Sequence, residues 1–208
     1  MSGEFNIISC GVGGQGVVLM TNVVGEACAR SGLKVISGEM HGLSQRSGSV
    51  IIHQRVGERI LSPLIPYGEA DVILALEPME ALRYLFYLKP GGLVITNTNI
   101  VHPPNETSDL VQKKKEAFVS YDAVIGAIKD TGANVVEINA LGLAHDAGNA
   151  LTENVVMVGA LTASEKFPVG KDVMLDAVRG TVPKKAIATN ERAFENGFLA
   201  HEKFHKAE

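Results

Sequence analysis

The sequence predicts an α/β protein of three layers, with helices on both faces of a mixed, mostly parallel sheet. Two observations predict this fold class. Short apolar, β-branched segments alternate with helical patterns in the first two thirds of the chain, as in proteins built from strand–helix–strand units. From about residue 140 the pattern is helical almost throughout. We therefore expect a single domain over residues 1–208 with a helical C-terminal extension.

The predicted strands are apolar, rich in β-branched residues and bounded by glycine, proline or polar turn residues. Residues 59–61 are expected to return antiparallel to residues 49–56, and this hairpin would make the sheet mixed rather than wholly parallel. Lys89-Pro90-Gly91-Gly92 is a strong turn signal directly before another strand. In chain order, strands are predicted at residues 5–10, 33–37, 49–56, 70–76, 93–97 and 134–138.

The predicted helices show apolar residues at helical spacing, and two of them have clear end signals. Gly32 closes the first helix because glycine tolerates the left-handed conformation of a C-cap. Pro78 suits the first position of another helix, and Glu77 before it is interpreted as that helix's cap, with a catalytic role as the alternative. Helices are predicted at residues 17–30, 78–88, 121–131, 140–147, 153–165, 171–179 and from 184 onward.

Composition argues against several classes of partner. The chain carries 19 Lys and Arg against 23 Asp and Glu, a formal net charge of −4. A mildly acidic chain has no broad basic surface for nucleic acid or for an anionic membrane. Apolar runs fall well short of the ~18 residues that span a bilayer, and the first residues lack the basic region of a signal peptide. We therefore expect a cytoplasmic protein that binds neither membrane nor nucleic acid.

Cys10 and Cys28 are the two cysteines of the sequence. They cannot supply the four thiolates of an iron–sulfur site, and neither has a histidine at zinc-ligand spacing. Both are interpreted as small, reduced core residues. The sequence therefore predicts no metal site in this chain, and any electron transfer through clusters must take place in another chain.

A glycine-rich loop, Gly11-Val12-Gly13-Gly14-Gln15-Gly16, lies between the first strand and the first helix, in the Rossmann-like context of a G-x-G-x-x-G motif. Small residues let the backbone approach an anion, and a helix N-terminus offers unpaired N–H groups. Glu39 lies about 20 residues further on, near where a dinucleotide fold places its ribose-binding acid. Three interpretations stay open: a NAD or FAD site, a site for another anion, and a turn that only packs strand on helix. Under the binding interpretations, Gly11, Gly13, Gly14, Gln15 and Gly16 form the site.

A second loop, residues 39–49, combines glycines, hydroxyls and one cation at the carboxyl end of a predicted strand, where open α/β sheets bind ligands. Arg46 is predicted to hold a carboxylate or phosphate through two hydrogen bonds, with a salt bridge as the alternative. His41 is predicted to donate a proton or hydrogen bond near neutral pH, with a structural role as the alternative. Ser44 and Gln45 are further binding candidates.

These two loops together resemble the gamma-type subunit or domain of the 2-oxoacid:ferredoxin oxidoreductases. Other members of that family carry Arg-Gly-Gly in the second loop, whereas Arg46-Ser47-Gly48 here favours the aryl-pyruvate branch over the pyruvate branch. The resemblance covers nearly the whole chain and is least distinctive between about residues 101 and 135. The segments that carry it are 11–16, 38–50, 63–71, 76–83 and 190–197.

The resemblance implies an oxidative decarboxylation, in which an aryl-2-oxoacid such as indolepyruvate reacts with coenzyme A and ferredoxin is reduced. In the family, a larger alpha subunit carries thiamine diphosphate and the iron–sulfur clusters. The present chain is then the subunit without redox cofactors and is expected to be inactive alone. His41 and Arg46 become the candidate catalytic residues, and the glycine loop with Ser44 and Gln45 the candidate site for coenzyme A. Apolar surface left bare without the larger chain predicts self-association of the isolated subunit.

Overall fold

A six-stranded mixed sheet forms the centre of the fold. The computed structural model describes residues 3–41, 48–101 and 119–207. The strand order is β2-β3-β1-β4-β5-β6; β1, β4, β5 and β6 run parallel, and β3 runs antiparallel to both of its neighbours. The strands are β1 (Phe5–Val12), β2 (Val35–His41), β3 (Ser49–Val56), β4 (Ala70–Ala75), β5 (Leu88–Asn97) and β6 (Asn134–Ile138).

Helices cover both faces of this sheet, as predicted. One face packs on α1 and on the four C-terminal helices, and the other packs on α2, α3 and the 3₁₀ turn Leu85–Tyr87. The predicted helix over residues 78–88 is therefore shorter than expected and ends at Arg83. The helices are α1 (Val17–Arg30), α2 (Pro78–Arg83), α3 (Tyr121–Lys129), α4 (Ala140–Ala147), α5 (Glu153–Ala163), α6 (Lys171–Thr181) and α7 (Ile187–Ala207).

The predicted hairpin over residues 49–61 is wrong, although the sheet is mixed. Strand β3 pairs with β1 and β2 on its two sides, so neither edge is free for residues 59–61. Those residues form a turn and an irregular segment instead. The Lys34 ammonium donates to the Ile60 carbonyl at 2.7 Å, so a side chain satisfies a backbone group that a strand ladder would otherwise pair.

The turn predicted at residues 89–92 is absorbed into β5 as a bulge. Ala70 of β4 pairs with Leu88, whereas Val72 pairs with Leu93, so β5 carries extra residues between these two positions. Gly91 has φ +66°, the left-handed conformation that such an irregularity uses. The glycines therefore mark a real departure from regular geometry, but the strand continues through it.

Two glycines set the close approach of α5 and α7 in the C-terminal helical layer. A Cβ atom on Gly159 would overlap the Phe194 carbonyl oxygen, and one on Gly197 would overlap the Val156 carbonyl oxygen. The backbones of the two helices are thus in direct contact at this crossing. Because α5 is buried along most of its length under α7, this contact joins the C-terminal extension to the sheet core.

No helix in the described ranges is both long and apolar enough to cross a bilayer.

We predict that Gly197→Ala destabilises the protein by about 3 kcal/mol, because the added methyl group forces two helix backbones apart. Urea unfolding followed by circular dichroism measures the change. Gly126→Ala is the matched control, since Gly126 is also helical but a Cβ there meets nothing within 4 Å. It should raise stability by about 0.5–1 kcal/mol through helix propensity alone. Equal effects of the two variants would contradict the close crossing.

Candidate functional site

The glycine loop lies at the carboxyl edge of the sheet and leads directly into α1. Strand β1 extends to Val12, so Gly11 belongs to the strand and residues 13–16 form the turn. Gly16 caps α1 with φ +81°, and Gly14 has φ +99°; both are left-handed conformations that favour glycine. Gly13 and Gly14 are exposed, and a Cβ on Gly14 would meet nothing within 4 Å. The tip of the loop is therefore open.

The inner side of the loop is filled by two amide side chains. Gln15 Oε1 accepts from the Val12 N–H at 2.8 Å, and Gln15 Nε2 donates to the Leu76 carbonyl at 3.3 Å. On the other side, Asn154 Nδ2 donates to the Gly16 carbonyl at 3.3 Å. Gln15 thus ties the loop to the end of β4, and its predicted contact with a ligand stays a prediction.

The N-terminus of α1 has the features of an anion site. No side chain in the described ranges caps this helix, and its first turn carries no acidic residue. The N–H groups of the first turn therefore lack the intrahelical acceptors that later residues have, and the helix dipole favours negative charge there. Val18 is exposed in this first turn.

The described end of the second loop lies close to the glycine loop. The Gly13 N–H donates to the Gly48 carbonyl at 2.9 Å, and Ser49 pairs with Val12 in the β1–β3 register. His41 ends β2 and stands at the register position opposite Val50 of β3. The predicted site residues Ser44, Gln45 and Arg46 lie outside the described residues. Of the described residues, Gly48 and Ser49 lie beside the turn at residues 13–16.

A partly buried polar cluster holds the start of β3 against α2. The Ser49 hydroxyl donates to a carboxylate oxygen of Glu80, and the Tyr84 hydroxyl lies 2.6 Å from the same serine oxygen. Because the serine proton goes to Glu80, the tyrosine is the donor in the second bond. Arg83 Nε donates to the other Glu80 oxygen at 3.1 Å. The i, i+4 spacing of Glu80 and Tyr84 could have indicated that these two side chains lie on one side of a helix. Nothing in the sequence indicated that Ser49 would join them.

Glu77 is a buried carboxylate at the N-terminus of α2. Its side chain is only 1% exposed, and Oε2 accepts from the Glu80 N–H at 2.9 Å. The second oxygen accepts from the Val101 N–H at 3.4 Å. The cap interpretation is confirmed. Burial raises the pKa of Glu77 to about 7, against the opposing effect of these backbone donors.

Asn97 joins four elements at the same edge. Its amide nitrogen donates to Glu153 Oε2 at 2.9 Å and to the Leu76 carbonyl at 3.4 Å. Its amide oxygen accepts from the Ala140 N–H at 3.1 Å. The end of β5 is thereby tied to β4, α4 and α5. Burial raises the pKa of Glu153. Neither Asn97 nor Glu153 had been singled out from the sequence.

The dinucleotide interpretation of the glycine loop does not fit the strand order. In a dinucleotide fold the second strand lies beside the first, so that its acidic end residue reaches the ribose. Here β3 separates β2 from β1, which puts β2 two strand spacings, roughly 10 Å, from the loop's strand. Glu39 is also exposed within β2 opposite Ile52, rather than at the strand's end.

The described residues do not fit an iron–sulfur cluster. Cys10 and Cys28 lie in the two separate cores on opposite faces of the sheet. Burial raises the pKa of the Cys28 thiol to about 12 and that of Cys10 well above its usual value, which disfavours the thiolate form that binds metal. In the parts of the chain that the structure describes, no three His, Cys, Asp or Glu side chains are grouped as metal ligands.

We predict that Glu77→Gln changes how stability depends on pH. Folding raises the pKa of Glu77, so the folded state favours the protonated carboxyl. The contribution of this carboxyl to the free energy of unfolding is therefore complete below about pH 4.5 and is lost as pH rises through about 7. Between these limits, the stability of the variant relative to the wild type should rise by about 3 kcal/mol. Chemical unfolding at a series of pH values measures it, with Glu58→Gln as an exposed control. Parallel curves for variant and wild type would contradict the shift.

Solved structures with the same fold include two oxoacid:ferredoxin oxidoreductase chains. The gamma subunit of a keto/oxoacid ferredoxin oxidoreductase from Geobacter sulfurreducens aligns with a TM-score of 0.73 and 21% identity, over 97% of this chain and 98% of its own. A 2-oxoglutarate:ferredoxin oxidoreductase chain from Magnetococcus marinus aligns with a TM-score of 0.71 and 19% identity, over 96% of this chain but 31% of its own. The predicted α/β fold class is confirmed.

Sequence relatives are more specific. The indolepyruvate oxidoreductase subunit IorB of Thermococcus kodakarensis is 43% identical over 95% of this chain and 96% of its own length. The 2-oxoglutarate synthase subunit KorC of Methanothermobacter marburgensis is 28% identical over 90% of this chain and 91% of its own. Residues 6–200 match the family described as pyruvate ferredoxin/flavodoxin oxidoreductase. The chain belongs to that family, and the resemblance predicted from its two loops is confirmed.

Proposed function

We propose that this chain is the subunit without redox cofactors of a heteromeric indolepyruvate, or aryl-pyruvate, ferredoxin oxidoreductase. In the proposed reaction, an aryl-2-oxoacid loses CO₂, its acyl group is transferred to coenzyme A, and two electrons pass to ferredoxin. The partner would be a larger alpha subunit that carries thiamine diphosphate and iron–sulfur clusters. The isolated chain would be inactive and, like its substrates, cytoplasmic.

One observation carries the choice of substrate class. The relatives named as indolepyruvate oxidoreductase subunits are 36–43% identical to this chain, whereas those named for 2-oxoglutarate or for pyruvate and ketoisovalerate are 25–28% identical. The four indolepyruvate relatives are matched over nearly their full length, so the similarity is not confined to one part of those proteins.

The buried cysteines support the division of labour between the subunits. Cys10 and Cys28 face different cores, so they cannot ligate one cluster, and the electrons would be carried by the partner. What this chain offers instead is a polar edge and a helix N-terminus that no described side chain caps. We also propose that residues 1–208 act as one unit, since α5 and α6 pack in the same core as α1.

The edge of the sheet is proposed to bind the diphosphate of coenzyme A. The tip of the glycine loop is open, and the first turn of α1 presents backbone N–H groups to negative charge. Gly48, at the end of the second loop, bonds to Gly13 of the glycine loop. We propose Arg46 of the second loop as a second anchor for the same ligand. His41, Ser44 and Gln45 are proposed to line the substrate side of this loop. Packing of both loops against the larger subunit is the alternative for the same residues.

We predict that activity appears only when the chain is combined with its larger subunit. The mixture should reduce a viologen dye in the presence of an aryl-2-oxoacid and coenzyme A. The kcat/KM for indolepyruvate should be higher than that for pyruvate by about tenfold or more. Each subunit alone is the control. Tight binding of NAD(H) by the lone chain, or reductase activity of the lone chain with NAD(H), would overturn the proposal in favour of a nucleotide-binding protein.

We predict that Val18→Glu raises the KM for coenzyme A in the assembled enzyme by about tenfold. The new carboxylate occupies the first turn of α1 and repels the diphosphate, while the helix dipole favours its folding. Asn22→Glu is the matched control, because it adds the same charge one turn further along the exposed side of α1. Arg46→Ala should raise the KM for coenzyme A or for the 2-oxoacid. Unchanged Michaelis constants in Val18→Glu and Arg46→Ala would leave these loops without contact to either ligand.

A further inference from the structure

We propose that an exposed apolar surface formed by Leu61, Leu64, Tyr67 and Phe86, here called the aromatic patch, is the docking surface for the larger subunit. This inference rests on the proposed function and adds the location of the interface. The patch lies on the face of the sheet that α2 and α3 cover, beyond the end of α2.

The patch exposes more apolar area than a surface loop requires. Leu61 is 95% exposed, Tyr67 75%, Leu64 53% and Phe86 52%. With about 200 Å² for each large apolar side chain, the four together expose roughly 500 Å². The Tyr67 and Phe86 rings are in contact, and both leucines come from the short segment just before Tyr67. Exposed apolar areas of this size on soluble proteins mark interaction sites. A stable interface covers about 800 Å² on each partner, so the patch has the size of an interface core.

The side chains of the patch are ordered by ring contacts. The Tyr67 and Phe86 rings meet edge to face at 5.0 Å between centroids, and both contact the buried Tyr87 ring, at 5.1 and 4.6 Å. The Gly68 N–H donates to the Phe86 carbonyl at 3.1 Å, which joins the two segments that carry these rings. Aromatic anchors held in place before binding lose little conformational entropy on docking.

The loop that carries the leucines is held by side chains of β3. The Ile65 N–H donates to His53 Nδ1 at 3.1 Å, so Nδ1 carries no proton and the imidazole is neutral. Burial lowers the pKa of His53, which also favours the neutral imidazole. Arg55 Nη1 donates to the carbonyls of Ser62 and Leu64, both at 3.4 Å. These bonds fix the backbone of a loop that exposes Leu61 and about half of Leu64. Rigid backbone under exposed leucines fits a preformed interface.

The aromatic patch is continuous with the candidate site. The Tyr84 ring lies 6.4 Å from the Phe86 ring, and the Tyr84 hydroxyl reaches Ser49 at the base of the second loop. A partner seated on Phe86 and Tyr67 would therefore extend over Tyr84 to that loop. Such a partner could place its own cofactor against the edge of the sheet, as a subunit without redox groups requires.

This continuity favours the larger subunit over a second copy of the chain as the occupant. A second copy would bring another cofactor-free edge to the site and would leave the reaction without its redox groups. In the Magnetococcus chain, the shared fold is 31% of a longer polypeptide, so the same fold works there beside a large additional body.

The test uses the full chain and the larger subunit. The double variant Tyr67→Ser/Phe86→Ser should bind the larger subunit at least about 100-fold more weakly, because it removes both aromatic anchors. Leu151→Ser is the matched control: Leu151 is 83% exposed on the short turn before α5, away from the patch, and its loss should change affinity less than about threefold. Circular dichroism and urea unfolding verify folding, and Tyr67→Asp, at an already exposed ring, replaces the double variant if that one unfolds.

The outcomes separate this inference from the proposed function. If the wild-type chain does not bind the larger subunit, the proposed function fails and the docking surface fails with it. If the wild type binds and gains activity but the patch variants bind equally well, only the location of the interface is overturned. Loss of self-association in the variants, with binding to the larger subunit unchanged, would assign the patch to a second copy and also overturn the inference.

Discussion

Strand β3 runs antiparallel between β1 and β2, buried on both faces, and most functional features of the chain depend on this placement. Its first residue, Ser49, stands beside the end of β1, which brings the described end of the second loop to the glycine loop. Because β3 lies between β1 and β2, Glu39 of β2 is not at the position that a ribose-binding acid occupies in a dinucleotide fold. Further along, His53 and Arg55 hold the loop that carries the aromatic patch.

The carboxyl edge of the sheet combines satisfied polar groups with one open position. Asn97, Gln15 and Glu77 use their side chains to tie strand ends and helix starts together. Buried polar groups of this kind fix a single arrangement because each unpaired partner would cost free energy. The first turn of α1 is different, because no described side chain satisfies its N–H groups. The proposed anion site uses this position, between the tied strand ends and an open glycine turn.

Two properties of the chain fit a subunit of a larger enzyme. Its thiols are buried on opposite faces of the sheet, and it exposes a rigid apolar surface that nothing in the described chain covers. Both properties follow if catalysis needs a second polypeptide. The helical layer then has a supporting role, since the crossing of α5 and α7 at Gly159 and Gly197 holds the C-terminal helices on the sheet.

The sequence by itself determined most of the local elements, the loop motif and the family. Strand β3, strand β6 and helix α4 have the predicted bounds. A buried strand shows as a short run of β-branched residues and a helix as apolar residues at helical spacing, so both can be recognised from neighbouring residues alone. Only the tertiary structure decided the partners of β3, the Ser49–Glu80–Tyr84 cluster and the exposed rings of Tyr67 and Phe86. These features join residues that are distant in the chain, and strand pairing and side-chain burial across such distances leave no periodic signal in the sequence.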